Sequence, residues 1–238
     1  MTTLEVQGVS VNFGGRMALT DVDFVAAAGT VTGLIGPNGA GKTTLFNVIC
    51  GLQAPTAGRI AIDGVDVTRL PPFKRARRGL ARTFQRLELF GLLTVRENIY
   101  LGASVAKRPQ PDAVTAGLID QLGLSAVGDE RTDRLPTGQA RVVELARALA
   151  TNPKVLLLDE PASGQDERET AAFRIVLQQV AEEGVAIVLV EHDVQLVMDV
   201  CSAIHVLDLG NVLASGSPAQ VQQDPAVLAA YLGSVPHE

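Results

Sequence analysis

Gly36-Pro37-Asn38-Gly39-Ala40-Gly41-Lys42-Thr43 fits the spacing G-x-x-x-x-G-K-[ST]. Glycines let a backbone turn tightly enough to aim several N–H groups at one anion. A helix starting at the lysine adds the positive end of its dipole. Lys42 is placed to reach the β- and γ-phosphates of a nucleotide, and the hydroxyl of the next residue, Thr43, to bind Mg²⁺. At average composition a chain of this length shows the pattern by chance about once in a hundred. The plain alternative is a glycine-rich turn with an exposed lysine. The apolar run Thr30–Ile35 before the motif and the helical pattern Lys42–Cys50 after it argue for the phosphate loop.

A phosphate loop needs a partner acid at the end of another buried strand. Val155-Leu156-Leu157-Leu158-Asp159-Glu160 supplies two. Asp159 is expected to hold Mg²⁺ through its water shell. Glu160 is placed to accept a proton from an attacking water, the role of a general base. A solvated strand end would look the same in isolation, and the phosphate loop weighs against it.

The elements that must position these groups follow from pattern. Leu4/Val6 and Val9/Val11/Phe13 alternate with polar neighbours, as half-buried strands do. Gly51 is placed to cap the helix that begins at Lys42. Ile60–Ile62 followed by Asp63-Gly64 reads as a strand and a tight turn. From about Gln85 to Thr151 helical patches are separated by loops rich in proline and glycine. Beyond it, apolar runs at Val155–Leu158 and Val185–Val190 alternate with helical patterns at Phe173/Val176/Leu177/Val180 and Val194/Val197/Met198. Such alternation predicts a parallel sheet covered on both faces. Ile204–Leu209 and Val212–Ala214 flank Gly210-Asn211 as a hairpin, and Asp224–Leu232 closes the chain as a helix.

Composition narrows the class. The 238 residues carry a net charge of −6, which argues against nucleic-acid binding by bulk charge. With 47% hydrophobic and 19% charged residues the chain is globular rather than disordered. No run approaches the roughly 18 to 20 apolar residues that span a bilayer. The opening MTTLEVQGVS lacks the basic-then-apolar pattern of a signal peptide, and Cys50 and Cys201 lie far apart. A reducing cytosol is the expected compartment.

Leu135-Pro136-Thr137-Gly138-Gln139 precedes the helical stretch Ala140–Ala150 and lies upstream of Asp159. With the phosphate loop and Leu156-Leu157-Leu158-Asp159-Glu160-Pro161, the chain resembles the nucleotide-binding domain of ABC-type ATPases along nearly its whole length. The resemblance implies an α/β P-loop NTPase (RecA-like) core with an N-terminal antiparallel β subdomain and an inserted α-helical subdomain. Residues 1–85 and 152–238 would form the core, and 86–151 the helical part carrying the signature motif. It implies ATP and Mg²⁺ as cofactors, bound by 36–43 with Thr44.

The same resemblance implies further roles. Phe13 corresponds to the aromatic that stacks on adenine, and Gln85 to the glutamine that touches Mg²⁺ or the attacking water. His192 corresponds to the histidine that contacts the γ-phosphate and orients Glu160. Thr43, Gln85 and Asp159 would serve the metal; Lys42, Gln85, Glu160 and His192 would serve catalysis. Two such domains face each other in the family, so Thr137, Gly138 and Gln139 would act in trans on a partner's nucleotide, with Asp166 in the loop crossing the interface. Pro136 and Thr137 depart from the usual L-S-G-G-Q, and Gln165 stands where leucine is common.

Gly79-Leu80-Ala81-Arg82-Thr83-Phe84-Gln85, the proline inside the signature motif, and the stretch from Gly210 through Asp224-Pro225 to Gly233 resemble the ATPases of branched-chain amino-acid importers. The implied partners are two transmembrane permease subunits, a second ATPase chain (different or identical) and, indirectly, an extracytoplasmic substrate-binding protein. The implied location is the cytoplasmic face of the inner membrane. Relatives handling amides, urea or lipopolysaccharide are the alternative, followed by a soluble ABC ATPase acting on ribosomes or DNA. That last reading is disfavoured by a single phosphate loop and a short insertion. The run Lys74-Arg75-Ala76-Arg77-Arg78 is expected to be a solvated helical face or a charged interface with the membrane subunits. Contact with lipid headgroups or nucleic acid is the competing reading, and no interleaved aromatic residues support base stacking.

Overall fold

The computed structural model describes residues 2–232. Gly233, the last residue of the C-terminal resemblance, lies outside them. The chain builds two sheets with a helix between them. Strands β1 (Thr2–Phe13) and β2 (Arg16–Ala27) form an antiparallel hairpin. Strand β4 (Ala57–Ile62) pairs with the other edge of β1 and with β5 (Val65–Asp66) across Asp63-Gly64, in the order β2-β1-β4-β5. Inward residues of this sheet, such as Val6, Val9, Val22 and Phe24, are buried between more exposed neighbours.

The second sheet has the order β10-β9-β3-β8-β7-β6. Its strands are β3 (Val31–Ile35), β6 (Leu80–Arg82), β7 (Val155–Asp159), β8 (Ala186–Val190), β9 (Ala203–Asp208) and β10 (Asn211–Gly216). All neighbours are parallel except β10, which folds back on β9 through Gly210. Strands β3, β7 and β8 are buried along their whole length. Strand β8, and β7 up to Leu158, therefore read as unbroken apolar runs, and β3 is interrupted only by the buried Thr32 and by Gly33. Successive residues serve opposite faces. Leu157 and Val188 join a core with α1 (Lys42–Cys50) and the antiparallel sheet; Leu156, Leu158, Ile187 and Leu189 join the other core, with α6 (Glu167–Glu182) and α7 (Val194–Val200).

Between β6 and β7 the chain is helical: α3 (Val95–Val105), α4 (Pro111–Gln121), two 3₁₀ turns and α5 (Thr137–Leu149). Ile99, Ala103, Ile119, Val143 and Ala146 extend the second core into this group. A short α8 (Pro218–Gln222) precedes α9 (Pro225–Leu232).

Three features differ from the sequence reading. The short strand β6 and helix α8 were not expected; each is too brief to show a hydrophobic period. The basic run 74–78 is not uniformly a solvated face. Helix α2 (Pro72–Ala76) leaves Lys74, Arg77 and Arg78 exposed, but Arg75 is 1% exposed. Its guanidinium donates to the carbonyls of Val48, Ile49, Thr68 and Leu70, and so closes the C-terminal end of α1.

Candidate active site

Four parallel strands deliver their carboxyl ends to one edge of the sheet, where open α/β sheets bind ligands. Strand β3 runs into residues 36–43, β6 into Thr83–Gln85, β7 into Glu160 and β8 into Glu191-His192. The glycines of the first loop are required by geometry. Gly36 has φ 149°, and a Cβ there would stand 2.0 Å from the carbonyl oxygen of Leu207. Gly41, at φ 112°, would meet Leu19 Cδ2 at 2.8 Å and the Ala18 oxygen at 2.9 Å.

Lys42 is buried and its Nζ donates to the carbonyls of Gly36 (2.6 Å) and Pro37 (3.0 Å), folding the loop over its own side chain. Burial pushes its pKa down, and the nearby Glu160 and Asp159 carboxylates oppose that shift. Thr43 is exposed at the start of α1 and Thr44 partly buried beside it. A cavity of about 350 Å³ lies against Ile35–Asn38 on one side and Glu191, His192, Val194 and Val197 on the other. A larger recess of about 590 Å³ beside Arg75, Pro55 and Thr68 contains none of the groups singled out for chemistry.

Glu160 stands where β7 ends, with φ 50°, a conformation that strains a residue bearing a Cβ. Its N–H donates to Val190 O at 2.8 Å, which fixes the turn to the end of β8. Both carboxylate oxygens are engaged. Gln85 Nε2 donates to Oε2 at 2.9 Å, and His192 Nε2 lies 2.9 Å from Oε1. Three residues singled out in the sequence, from three different strand ends, thus meet on one carboxylate.

Other residues support this cluster and were not singled out. Glu191 is buried; its carboxylate accepts the N–H of Ala162 (2.7 Å) and of His192 (3.0 Å), tying the Glu160 turn to the histidine. Burial pushes its pKa up against the pull of those N–H groups and that of Asp193. Arg141 on α5 donates to the carbonyls of Phe84 and Gln85, and Glu144 accepts the N–H of Glu88, so α5 holds the Gln85 loop. Asp159 is engaged by Arg82, whose Nη2 donates to Oδ2 at 2.8 Å. Arg82 lies inside a recognised stretch and Glu191 beside His192, but neither their charges nor those of Arg141 and Glu144 indicate which partners they meet.

The remaining expected positions lie away from Glu160. Phe13 is half exposed at the end of β1, and β2 passes the phosphate loop at Ala18 and Leu19. Thr137, Gly138 and Gln139 form the first turn of α5, whose N-cap Pro136 offers no side-chain cap. Gly138 packs against the Glu169 carboxylate: a Cβ would lie 2.3 Å from Oε1. Asp166 caps α6, its side chain accepting the Glu169 N–H.

The donor set bears on the metal. Among the described residues no three acidic, histidine or cysteine side chains gather as a metal cage. A cation held by Thr43 and Asp159 would take most of its ligands from water and phosphate, which fits Mg²⁺ with its preference for hard oxygens.

Residues 19–163 match the ABC transporter family, and residues 211–237 match the branched-chain amino acid ATP-binding cassette transporter family. The high-affinity branched-chain amino acid transport ATP-binding protein BraF of Pseudomonas aeruginosa is 37% identical, over 97% of each chain. The lipopolysaccharide export system ATP-binding protein LptB of Haemophilus influenzae is 35% identical, over 98% of each. The crystal structure of the ADP conformation of MJ1267, an ATP-binding cassette of an ABC transporter, superposes with a TM-score of 0.88 at 29% identity. It covers 98% of this chain and all of its own.

Proposed function

We propose a mechanism from one premise: the chain belongs to the ABC transporter family, as its ATP-binding, ATP-hydrolysing subunit. The convergence of Gln85 and His192 on Glu160, with His192 also lining the cavity beside the phosphate loop, carries the catalytic reading. In it, the backbone of 36–43 and Lys42 hold the phosphates, with Thr44 beside them, and Phe13 stacks on the base. Lys42 exchanges its carbonyl partners for phosphate oxygens. Glu160 takes the proton of the attacking water, Gln85 positions that water, and His192 orients Glu160 and contacts the γ-phosphate. Thr43, Asp159 and Gln85 would hold Mg²⁺, which would supply positive charge against that developing on the phosphates.

In this reading residues 86–151 form a helical unit that presents Thr137, Gly138 and Gln139 to nucleotide bound by a second ATPase chain. The uncapped start of α5 supports it, because the first N–H groups of a helix favour an anion. ABC ATPase subunits work with transmembrane permease components. Among the described residues no helix is long and apolar enough to cross a membrane. We place the subunit peripherally on the cytoplasmic face, under two permease subunits fed by an extracytoplasmic binding protein. For the cargo we favour branched-chain amino acids, on the strength of the match over 211–237. The similarity to LptB makes lipopolysaccharide export the competing reading.

Two measurements test this. Lys42→Ala is expected to weaken ATP binding about tenfold to a hundredfold, since a charge-assisted contact to phosphate is lost. Unchanged affinity in a fluorescence titration would remove the phosphate role. Separately, tagged protein purified from native membranes with ATP and Mg²⁺ should bring down two strongly apolar subunits and an ATPase partner. An associated extracytoplasmic binding protein would support import and its ligand would name the cargo. Outer-envelope lipid-transfer partners would favour export, and ribosomal or DNA-repair partners would overturn transport.

A further inference from the structure

Arg82 ends β6 just before the loop that carries Gln85, and its guanidinium is buried where three elements meet. Nη2 donates to Oδ2 of Asp159 at 2.8 Å, and Nη1 donates to Oδ1 of Asn47 on α1 at 2.7 Å. The rings of Phe46 and Phe84 flank it, their centroids 5.3 Å and 4.8 Å from Cζ. The Arg82 side chain is 7% exposed and that of Asp159 8%. Nε is buried without a partner. Desolvation offsets much of the attraction in so dry a pair, so stability alone is a poor reason to keep it.

The geometry gives the pair another use. Asp159 makes no hydrogen bond through Oδ1 among the described residues, while Oδ2 is pinned by Arg82. A carboxylate held by one oxygen presents the other in a single direction, as the outer partners of metal ligands commonly arrange. The same guanidinium packs on Phe84, and the next residue, Gln85, reaches Glu160.

We propose that Arg82 is a positioning residue of the metal site. It holds Asp159 in the orientation that receives Mg²⁺ with its nucleotide, and through Phe84 it keeps the Gln85 loop in register with that carboxylate. The proposal rests on the metal role assigned to Asp159 above.

The test is the affinity of the full chain for a fluorescent ATP analogue, with excess Mg²⁺ and with EDTA. The wild type should bind more tightly with Mg²⁺, and Asp159→Asn should lose that gain. Arg82→Met should lose about tenfold of it while its affinity in EDTA stays close to wild type; Arg82→Lys, which keeps the charge, should recover part. An unchanged or larger gain in folded Arg82→Met would overturn the role of Arg82 alone, provided Asp159→Asn has lost its own. Equal losses with Mg²⁺ and with EDTA would mark a merely structural residue and overturn it as well. If the wild type shows no gain, or Asp159→Asn keeps it, the metal-site reading fails and takes this one with it. Should Arg82→Met not fold, Asn47→Ala carries the test, because it frees one guanidinium nitrogen without removing charge. A loss of about threefold in its Mg²⁺ gain would support the proposal, and an unchanged gain would overturn it.

Discussion

Glu160→Gln is expected to bind ATP as the wild type does and to lose about a thousandfold in turnover, within the range that general-base catalysis supplies. The substitution conserves shape. The amide oxygen can still accept from Gln85 Nε2, and the amide nitrogen can donate to His192 Nε2 when that ring carries its proton on Nδ1. The cluster should therefore stay assembled, and what disappears is the ability to take a proton from water. The strained backbone at φ 50° sharpens the argument. Such a conformation costs about 1 to 3 kcal/mol in a residue other than glycine, and it persists where surrounding bonds over-determine it. Here the N–H bond to Val190 O and the two side-chain contacts do so. Phosphate release by the variant in its complex with the membrane subunits, beside equilibrium ATP binding, checks this. Turnover within tenfold of wild type would take the base role from Glu160 and leave the nucleotide site standing.

The groups that act through local spacing could be read from the chain. Residues 36–43 announce themselves because backbone geometry dictates glycine at fixed positions, and the clash a Cβ at Gly36 would make with Leu207 O shows why. Strands β7 and β8 were legible because burial on both faces forces nearly continuous apolar runs, and β3 because a mostly apolar stretch leads straight into the glycine loop. Glu160 was singled out as an acid at the end of a buried strand, Gln85 and His192 through family likeness, and the fold brings the three together. Supporting residues were a different matter. Arg82 sits in a motif that was recognised, yet its purpose shows only when β6 lies beside β7 and Asp159, far along the sequence, comes within 2.8 Å. Glu191 looks like any acid after a strand until its carboxylate is seen to bridge the Ala162 and His192 amides. Pattern reports which face is buried; it does not report which distant carbonyl or carboxylate a charged side chain will meet.

Arg75→Met should destabilise the fold by about 3 to 5 kcal/mol, a large share of the roughly 5 to 15 kcal/mol that holds a domain together. Arg75 looks like one more cation in a basic run, but its guanidinium satisfies four carbonyls. Val48 and Ile49 belong to the last turn of α1, where carbonyls lack helical partners and the helix dipole favours a cation. Packing leaves little slack, since a Cβ on Gly51 would lie 2.7 Å from the Arg75 Nε. Methionine replaces the aliphatic stem; Val48 O keeps the Gly51 N–H at 3.1 Å, while the Ile49, Thr68 and Leu70 carbonyls lose their donor, each at about 1 to 3 kcal/mol if dry. Water entering from the adjacent recess reduces the sum to the range given. Lysine should recover about half, because one ammonium cannot reach four acceptors spread around a planar fork. Arg77→Met, on the exposed side of the same segment, should change stability by no more than about 0.5 kcal/mol. Urea unfolding of the three variants separates these cases, and equal midpoints for Arg75→Met and Arg77→Met would refute the anchor. The consequence reaches the active site, because α1 starts at Lys42 and ends at the carbonyls Arg75 holds. A helix loosened at its C-terminal end no longer fixes the loop at its N-terminal end. Arg75→Lys, folded but less firmly anchored, should therefore bind ATP more weakly than wild type although the substituted side chain lies at the opposite end of the helix.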